Sequence, residues 1–260
     1  MAVALASEIP PVRDRVSDDE WRTRVDLAAC YRLVAHFGWI DSIYTHISAR
    51  VPGEDGAFLL NPYGMMFEEV TASSLVKIDV DGKILMDSPF DVNEAGFTIH
   101  SAVHMARHDV ECVIHTHTVP GMAVSAQVDG LRPLTQNSMM FYGDHLAYHE
   151  YEGIALDLDE RSRLQADLGN RYAMILRNHG LLTCGRTIAE AFEIMQNLEK
   201  ACEAQIAAQA GGVPLTHPSP NVCAHTADQF WNYHASNPFG ERAWPAMLRL
   251  LDRHNPGYDA

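Results

Sequence analysis

The chain is predicted to be a single α/β domain with helices covering a mixed sheet. Three observations point there. Short apolar segments with strand character occur both in hairpins and between helices, the pattern of a mixed sheet flanked by helices. Neither an internal repeat nor a linker breaks the 260 residues, a length within range of one α/β unit. Hydrophobic residues make up 47% of the sequence, enough for a substantial core.

The elements follow in order. Residues 1–16 carry Pro10-Pro11 and mixed charge and are expected to form a mobile arm. Ser17-Asp18-Asp19-Glu20 has the capping-box pattern. The amphipathic helix it opens has Trp21, Val25, Ala28, Ala29, Leu33 and Phe37 as its apolar stripe and ends at Gly38. Strands are expected at Thr45 to Val51, Phe58 to Asn61 and Val76 to Ile78, and Asp81-Gly82 turns the last of these toward Lys83-Ile84-Leu85. Asn93 to His108 reads as a helix with Phe97, Val103 and Met105 among its apolar positions. Val110, Cys112, Val113 and Ile114 lead into a strand that ends in His115-Thr116-His117. Pro120 suits the first turn of a short helix at Gly121 to Gln127. Thr187-Ile188-Ala189-Glu190 is a second capping-box pattern. It precedes a helix with Ile188, Ala191, Phe192, Met195, Leu198 and Cys202 on one face, stopped by Gly211-Gly212 and Pro214. The domain proper thus runs over residues 17–212. The remainder, 213–260, holds Trp231, Trp244, Met247, Leu248 and Leu251, too much apolar surface for a free tail. It is expected to pack on the domain or on a neighbouring subunit.

Composition narrows the function. A net charge of −15 argues against nucleic acid as a partner, because phosphate binding needs clustered Lys and Arg. No apolar run approaches the ~18 residues of a membrane span, and the N-terminus lacks the pattern of a secretory signal. Cys30, Cys112, Cys184, Cys202 and Cys223 are odd in number and form no C-x-x-C pair, so buried reduced thiols in a cytoplasmic protein are expected.

The chemistry lies in three histidines. Alternation along a strand puts residues i and i+2 on one side, so His115 and His117 can converge on one point. His179 follows the apolar run Tyr172-Ala173-Met174-Ile175-Leu176 in an Asn-His-Gly turn. Three imidazoles form a facial set that leaves positions open on a divalent metal, as catalysis requires; a structural site would add a fourth ligand. With 14 histidines in the chain, a chance H-x-H pair is the competing explanation, and His179 is what weighs against it.

Further segments carry a family resemblance. They are Asn61-Pro62-Tyr63-Gly64, Glu69-Val70-Thr71-Ala72-Ser73-Ser74-Leu75-Val76, Ala95-Gly96-Phe97-Thr98-Ile99-His100, Gly143-Asp144, Arg177-Asn178-His179-Gly180 and Glu190-Ala191-Phe192. With His115-Thr116-His117 and in this order, they make the chain resemble the class II aldolase/adducin superfamily over roughly residues 20 to 212. The resemblance implies a three-layer α/β/α sandwich around a mainly antiparallel sheet. It also implies a homotetramer with active sites at subunit interfaces, and zinc held by His115, His117 and His179, with Mn or Fe as alternatives. The implied activity is that of a metal-dependent carbon–carbon lyase working through a stabilised enolate. His100, on the preceding helix, is assigned to packing or to support of the site.

The sequence departs from the sugar-phosphate aldolases of that superfamily. Their Ser-Ser-Glu run falls here on Glu94, Ala95 and Gly96, and glycine transfers no proton. Their phosphate-binding Asn and Thr become His46 and Tyr63, the latter before Gly64. A carboxylate at Glu94 would repel a phosphate dianion. The expected small-molecule substrate is therefore a non-phosphorylated carbonyl or hydroxy acid, bound by His46, Tyr63 and Gly64. Glu94 and Tyr142, the latter from a neighbouring subunit, are the candidate acid/base residues. Each has a plain structural alternative: Glu94 as a carboxylate at a helix N-terminus, Tyr142 as packing, His46 and Tyr63 as loop structure. His145 and His149 are expected on the surface near the site. Two other functions stay open, a non-heme iron oxygenase on the same triad and an adducin-like assembly module.

Overall fold

The computed structural model describes residues 9–260, apart from the side chain of Ala95. Seven strands form one sheet in the order β3-β2-β1-β4-β7-β6-β5. They are β1 (His46–Arg50), β2 (Ala57–Leu60), β3 (Val76–Asp79), β4 (Cys112–Thr116), β5 (Ala147–His149), β6 (Ala173–Leu176) and β7 (Gly180–Gly185). Each neighbouring pair is antiparallel except β5 with β6. The helices are α1 (Asp18–His36), α2 (Glu94–Ala106), α3 (Val119–Ser125), α4 (Gln136–Met139), α5 (Glu160–Leu168), α6 (Ile188–Ala210), α7 (Pro220–Ser236) and α8 (Trp244–His254).

Strand alternation builds the three layers. Ile47 of β1 and Cys112 and Ile114 of β4 face one core, shared with Leu27 and Leu33 of α1, Phe192 and Leu198 of α6, and Leu251 of α8. Val113 of β4 points the other way, into a core with Ile99 and Val103 of α2 and Leu164 and Leu168 of α5. His46 and Ser48 alternate with Ile47 and so meet α2, while His115 lies on the same face. The expected α/β/α sandwich is therefore the observed one.

Some expectations change in detail. Ser17 caps α1 by accepting from the Glu20 amide, but the Glu20 side chain does not return the bond. It is buried instead, 2.8 Å from Arg24 Nε and 3.0 Å from Lys77 Nζ. Arg24 also donates to the carbonyls of Ala72 and Leu75, so this ion pair rivets α1 to the turn before β3. Helix α1 is consequently buried on more than one stripe, whereas Trp21, Val25 and Phe37 are only half-buried. Met105, assigned to the apolar face of α2, is exposed. Within the expected mobile arm, residues 1–8 lie outside the described residues; beyond them, Val12 is buried and Arg13–Arg15 forms a 3-10 turn. The C-terminal segment packs on its own domain. Trp231 Nε1 donates to the Met140 carbonyl, Trp244 Nε1 to Asp26, and the amides of Ala72 and Ser73 donate to the carbonyls of Tyr258 and Ala260.

Tyr31 positions the strand end that matters most. Its buried hydroxyl sits 2.8 Å from the Ile47 amide and 3.0 Å from the Asn61 amide, joining β1 to the chain after β2. Beside it, β1 and β4 pair with His46 directly opposite His115.

Candidate metal centre

The three predicted imidazoles converge. One ligand atom from each of His115, His117 and His179 lies within 4.8 Å of the others, and the ring centroids are 4.5, 4.8 and 4.8 Å apart. His115 is the penultimate residue of β4, and His117 follows that strand. His179 sits in the β6–β7 turn, made possible by Asn178 at φ 55, a left-handed conformation that Asn tolerates. Gly180 belongs to the same design. A Cβ there would lie 3.0 Å from His117 Cδ2 and collide with the Thr116 carbonyl.

The outer nitrogens of two rings are already committed. His115 Nδ1 lies 2.9 Å from the Leu181 carbonyl and His117 Nδ1 lies 3.0 Å from Asp41 Oδ2, both acceptors, so each Nδ1 carries the proton. The two Nε2 atoms then face each other at 2.8 Å. Lone pairs this close repel unless a proton or a cation lies between them. Outer-shell acceptors that fix the tautomer in this way are the regular partners of metal-binding histidines. Burial pushes the His115 imidazole well below its usual range and His179 down to about 4, with neighbouring imidazoles adding to both effects. The residues therefore fit a divalent cation by donor type and by arrangement.

The triad opens into a cleft of about 690 Å³. Of the other predicted residues, His46, Tyr63 and Glu94 line it, while Gly64 and Tyr142 do not. Gly64 serves the turn beside Tyr63, at φ 101. Within one chain Tyr142 is half-buried away from the cleft. Nor do the two nearby histidines behave as free surface groups. His145 stacks on Trp231, and buried His149 is held between Asp167 at 2.7 Å and Glu160 at 3.3 Å. Asn178, known from the sequence only as part of the turn that carries His179, also lines the cleft, as do Tyr44, Tyr151, Ile154 and Leu156, which were not singled out in the sequence. Tyr151 and Ile154, exposed in a polar stretch, offer no periodic signal; Asp41 could not be foreseen because it meets His117 only in the fold.

A second group, of which the sequence singled out His46 and His100 but not Ser48 or His104, lies beneath the cleft floor. His46 Nδ1 is 3.3 Å from His100 Nε2, His100 Nδ1 is 2.6 Å from Ser48 Oγ, and Ser48 Oγ is 2.8 Å from His104 Nε2. All four residues are buried. Burial holds all three imidazoles below their normal range, His104 down to about 3. The expected supporting place of His100 is the observed one.

The fold and site together define an α/β protein with a three-imidazole cluster at one end of its sheet. Comparison with known proteins gives the family. The signature of the Class II Aldolase and Adducin N-terminal domain matches residues 25–206. A Pseudomonas aeruginosa protein named for aldolase class 2 is 57% identical over 249 residues, covering 95% of each chain. Mouse alpha-adducin is 41% identical across 96% of this chain, which spans 36% of that protein's length. Among solved structures, an aldolase II superfamily protein from Pseudomonas syringae superposes with a TM-score of 0.91 at 52% identity, over 96% of this chain and all of that one. L-fuculose 1-phosphate aldolase from Glaciozyma antarctica gives 0.80 at 29% identity, over 97% and 99%. The chain belongs to the class II aldolase and adducin family.

Proposed function

We propose that the chain is a divalent-metal-dependent lyase that cleaves, joins or decarboxylates at a carbon–carbon bond of a non-phosphorylated carbonyl or hydroxy acid. His115, His117 and His179 would hold the metal, zinc first, with Mn and Fe also suited to three neutral nitrogens. When bound, such a cation supplies a Lewis acid for negative charge developing on a substrate oxygen. The chain's own residues do the rest. Asp41 and the Leu181 carbonyl orient two of the rings, His46 and Tyr63 contact substrate, and Glu94 is the candidate acid/base on the cleft wall. Tyr142 joins them only from a neighbouring subunit, so the reading includes a homotetramer. It also includes a cytoplasmic setting, which suits five buried free cysteines; among the described residues no helix is long and apolar enough to cross a membrane.

The observation that carries the reading is the pair of Nε2 atoms facing each other at 2.8 Å, each with its Nδ1 already bonded. A non-catalytic domain gains nothing from that repulsion. Two features support the substrate class: among the described residues no Lys or Arg lines the cleft, and Glu94 does. A phosphate dianion would enter without a cationic side chain to meet it and against a carboxylate.

The test is elemental analysis after reconstitution with Zn, Mn and Fe, followed by turnover of carbonyl and hydroxy acids beside fuculose and ribulose phosphates. Stoichiometric metal with turnover of the unphosphorylated compounds supports the reading. Efficient cleavage of the sugar phosphates refutes the substrate class. The similarity to alpha-adducin favours a second reading, an assembly module; failure to take up any metal would support it, whereas iron with oxygen uptake would point to an oxygenase.

A further inference from the structure

We propose that His46 is a fixed hydrogen-bond donor to a singly charged substrate oxygen, its Nε2 proton dictated by the buried chain His100–Ser48–His104. The ligand class rests on the lyase reading; the tautomer rests on geometry alone.

The argument begins at the far end of the chain. His104 Nδ1 is buried and has no hydrogen-bond partner. With neutral rings and the Ser48 proton given an acceptor, the three links from His104 to His46 can run in only two directions; were Ser48 Oγ to accept from both rings, its own buried proton would have no partner among the described residues. In one, His104 Nδ1 carries a proton that nothing accepts. In the other it holds a lone pair. Orphaned buried N–H groups are rarer than undersatisfied acceptors, so the second direction is the stable one. Arg50 reinforces it. Its guanidinium donates to the His104 carbonyl, which puts a positive charge beside the ring and favours the lone pair.

Protons then follow from donor to acceptor. His104 Nε2–H donates to Ser48 Oγ, the Ser48 hydroxyl donates to His100 Nδ1, and His100 Nε2–H donates to His46 Nδ1. The single proton of neutral His46 must sit on Nε2, which has no hydrogen-bond partner among the described residues. His46 lines the cleft and stacks on His115, with ring centroids 5.2 Å apart. Its free N–H is thus presented beside the triad, where no Lys or Arg among the described residues supplies an alternative donor.

Gly96 makes room for this ring. A Cβ at residue 96 would lie 2.7 Å from His46 Cγ and 2.8 Å from its Nε2, inside van der Waals contact. Any side chain there would displace the donor. Glu94, on the same helix turn and lining the cleft, disfavours a doubly charged ligand. A carboxylate or carbonyl acid of single charge is the class that fits.

Two experiments test the proposal. Neutron diffraction from crystals of the whole protein at neutral pH, in heavy water, reads the proton positions directly. Deuterium is expected on Nε2 of His46, His100 and His104; deuterium on Nδ1 of His46 overturns the proposal. Calorimetry then measures pyruvate binding to zinc-loaded protein. His46→Phe should weaken it at least about tenfold, the effect of losing a hydrogen bond to a charged group, at unchanged zinc content. His46→Asn, which keeps an N–H donor, should restore part of it, and Ser48→Ala should lose less than His46→Phe. Equal affinity in the parent and His46→Phe sinks the donor role. If the parent takes up no zinc, the lyase reading falls, while the neutron result still decides the tautomer.

Discussion

Glu199 offers the sharpest prediction about stability, because it braces the strand end that carries His117. Its carboxyl is buried on α6 and accepts hydrogen bonds from Thr116 and Thr118, each at 2.6 Å. Those residues flank His117, so one carboxyl pins both sides of a candidate ligand. Burial raises its pKa from 4.5 to about 7, partly offset by the two threonines and increased by Glu203. A raised carboxyl pKa means the folded state favours the protonated form. The associated stability is fully present below the unfolded value, 4.5, and is lost as pH rises through about 7. At 1.36 kcal/mol per unit, the loss is about 3 kcal/mol. Glu199→Gln keeps an acceptor for one threonine and a donor for the other, but it cannot ionise. The variant should match the parent near pH 5 and be more stable by about 1–3 kcal/mol near pH 8. Urea denaturation of both proteins at the two pH values gives the double difference. This cancels Asp26 and Glu193, whose carboxyls burial also pushes up. A stability difference that does not change with pH would refute the reasoning.

Three further outcomes are expected. His117→Ala removes one of three ligands and should abolish stoichiometric zinc binding, whereas Asp41→Asn, which weakens only the orientation of His117, should lower affinity by about 10–100-fold in a competition titration. Glu20→Ala leaves Arg24 buried without its partner and should cost about 3–5 kcal/mol in chemical denaturation; a loss below 1 kcal/mol, the size of a surface pair, would contradict the burial of this cluster. Glu94→Gln should reduce turnover strongly if the carboxyl moves a proton, and unchanged turnover would confine it to the start of α2.

The legible part of the site was local. The apolar approach along β4 fixes which face His115 takes, and an Asn-His-Gly turn after an apolar run announces His179 without any knowledge of the fold. Residues 128–171 were less readable. The helix α5 within them has only Leu164 and Leu168 as buried apolar residues, and β5 is three residues long, so neither presents a period that pattern can detect. Glu20 and Glu190 misled for another reason. Both stand where a capping box predicts a return bond, yet Glu20 turns to Arg24 and Lys77, and Glu190 to Arg186. Glu190 takes the backbone amide of Arg186 together with its guanidinium, while at Glu20 a buried ion pair wins over the cap amide, and no local pattern reports its distant partner Lys77.

By itself the sequence determined the layered α/β architecture, the three histidines and the replacement of the family's phosphate-binding Asn and Thr by His46 and Tyr63. These follow from side-chain chemistry and from periods of a few residues. Only the tertiary structure decided that Asp41 holds His117, that His46 stands across from His115, and that Ser48 links two histidines of α2 into a chain ending at a lone buried nitrogen. Such contacts join segments far apart in the chain. They are set by the register between β1 and β4 and by how α2 packs on them, and a one-residue slip of β1 in that register would turn His46 and Ser48 to the opposite face.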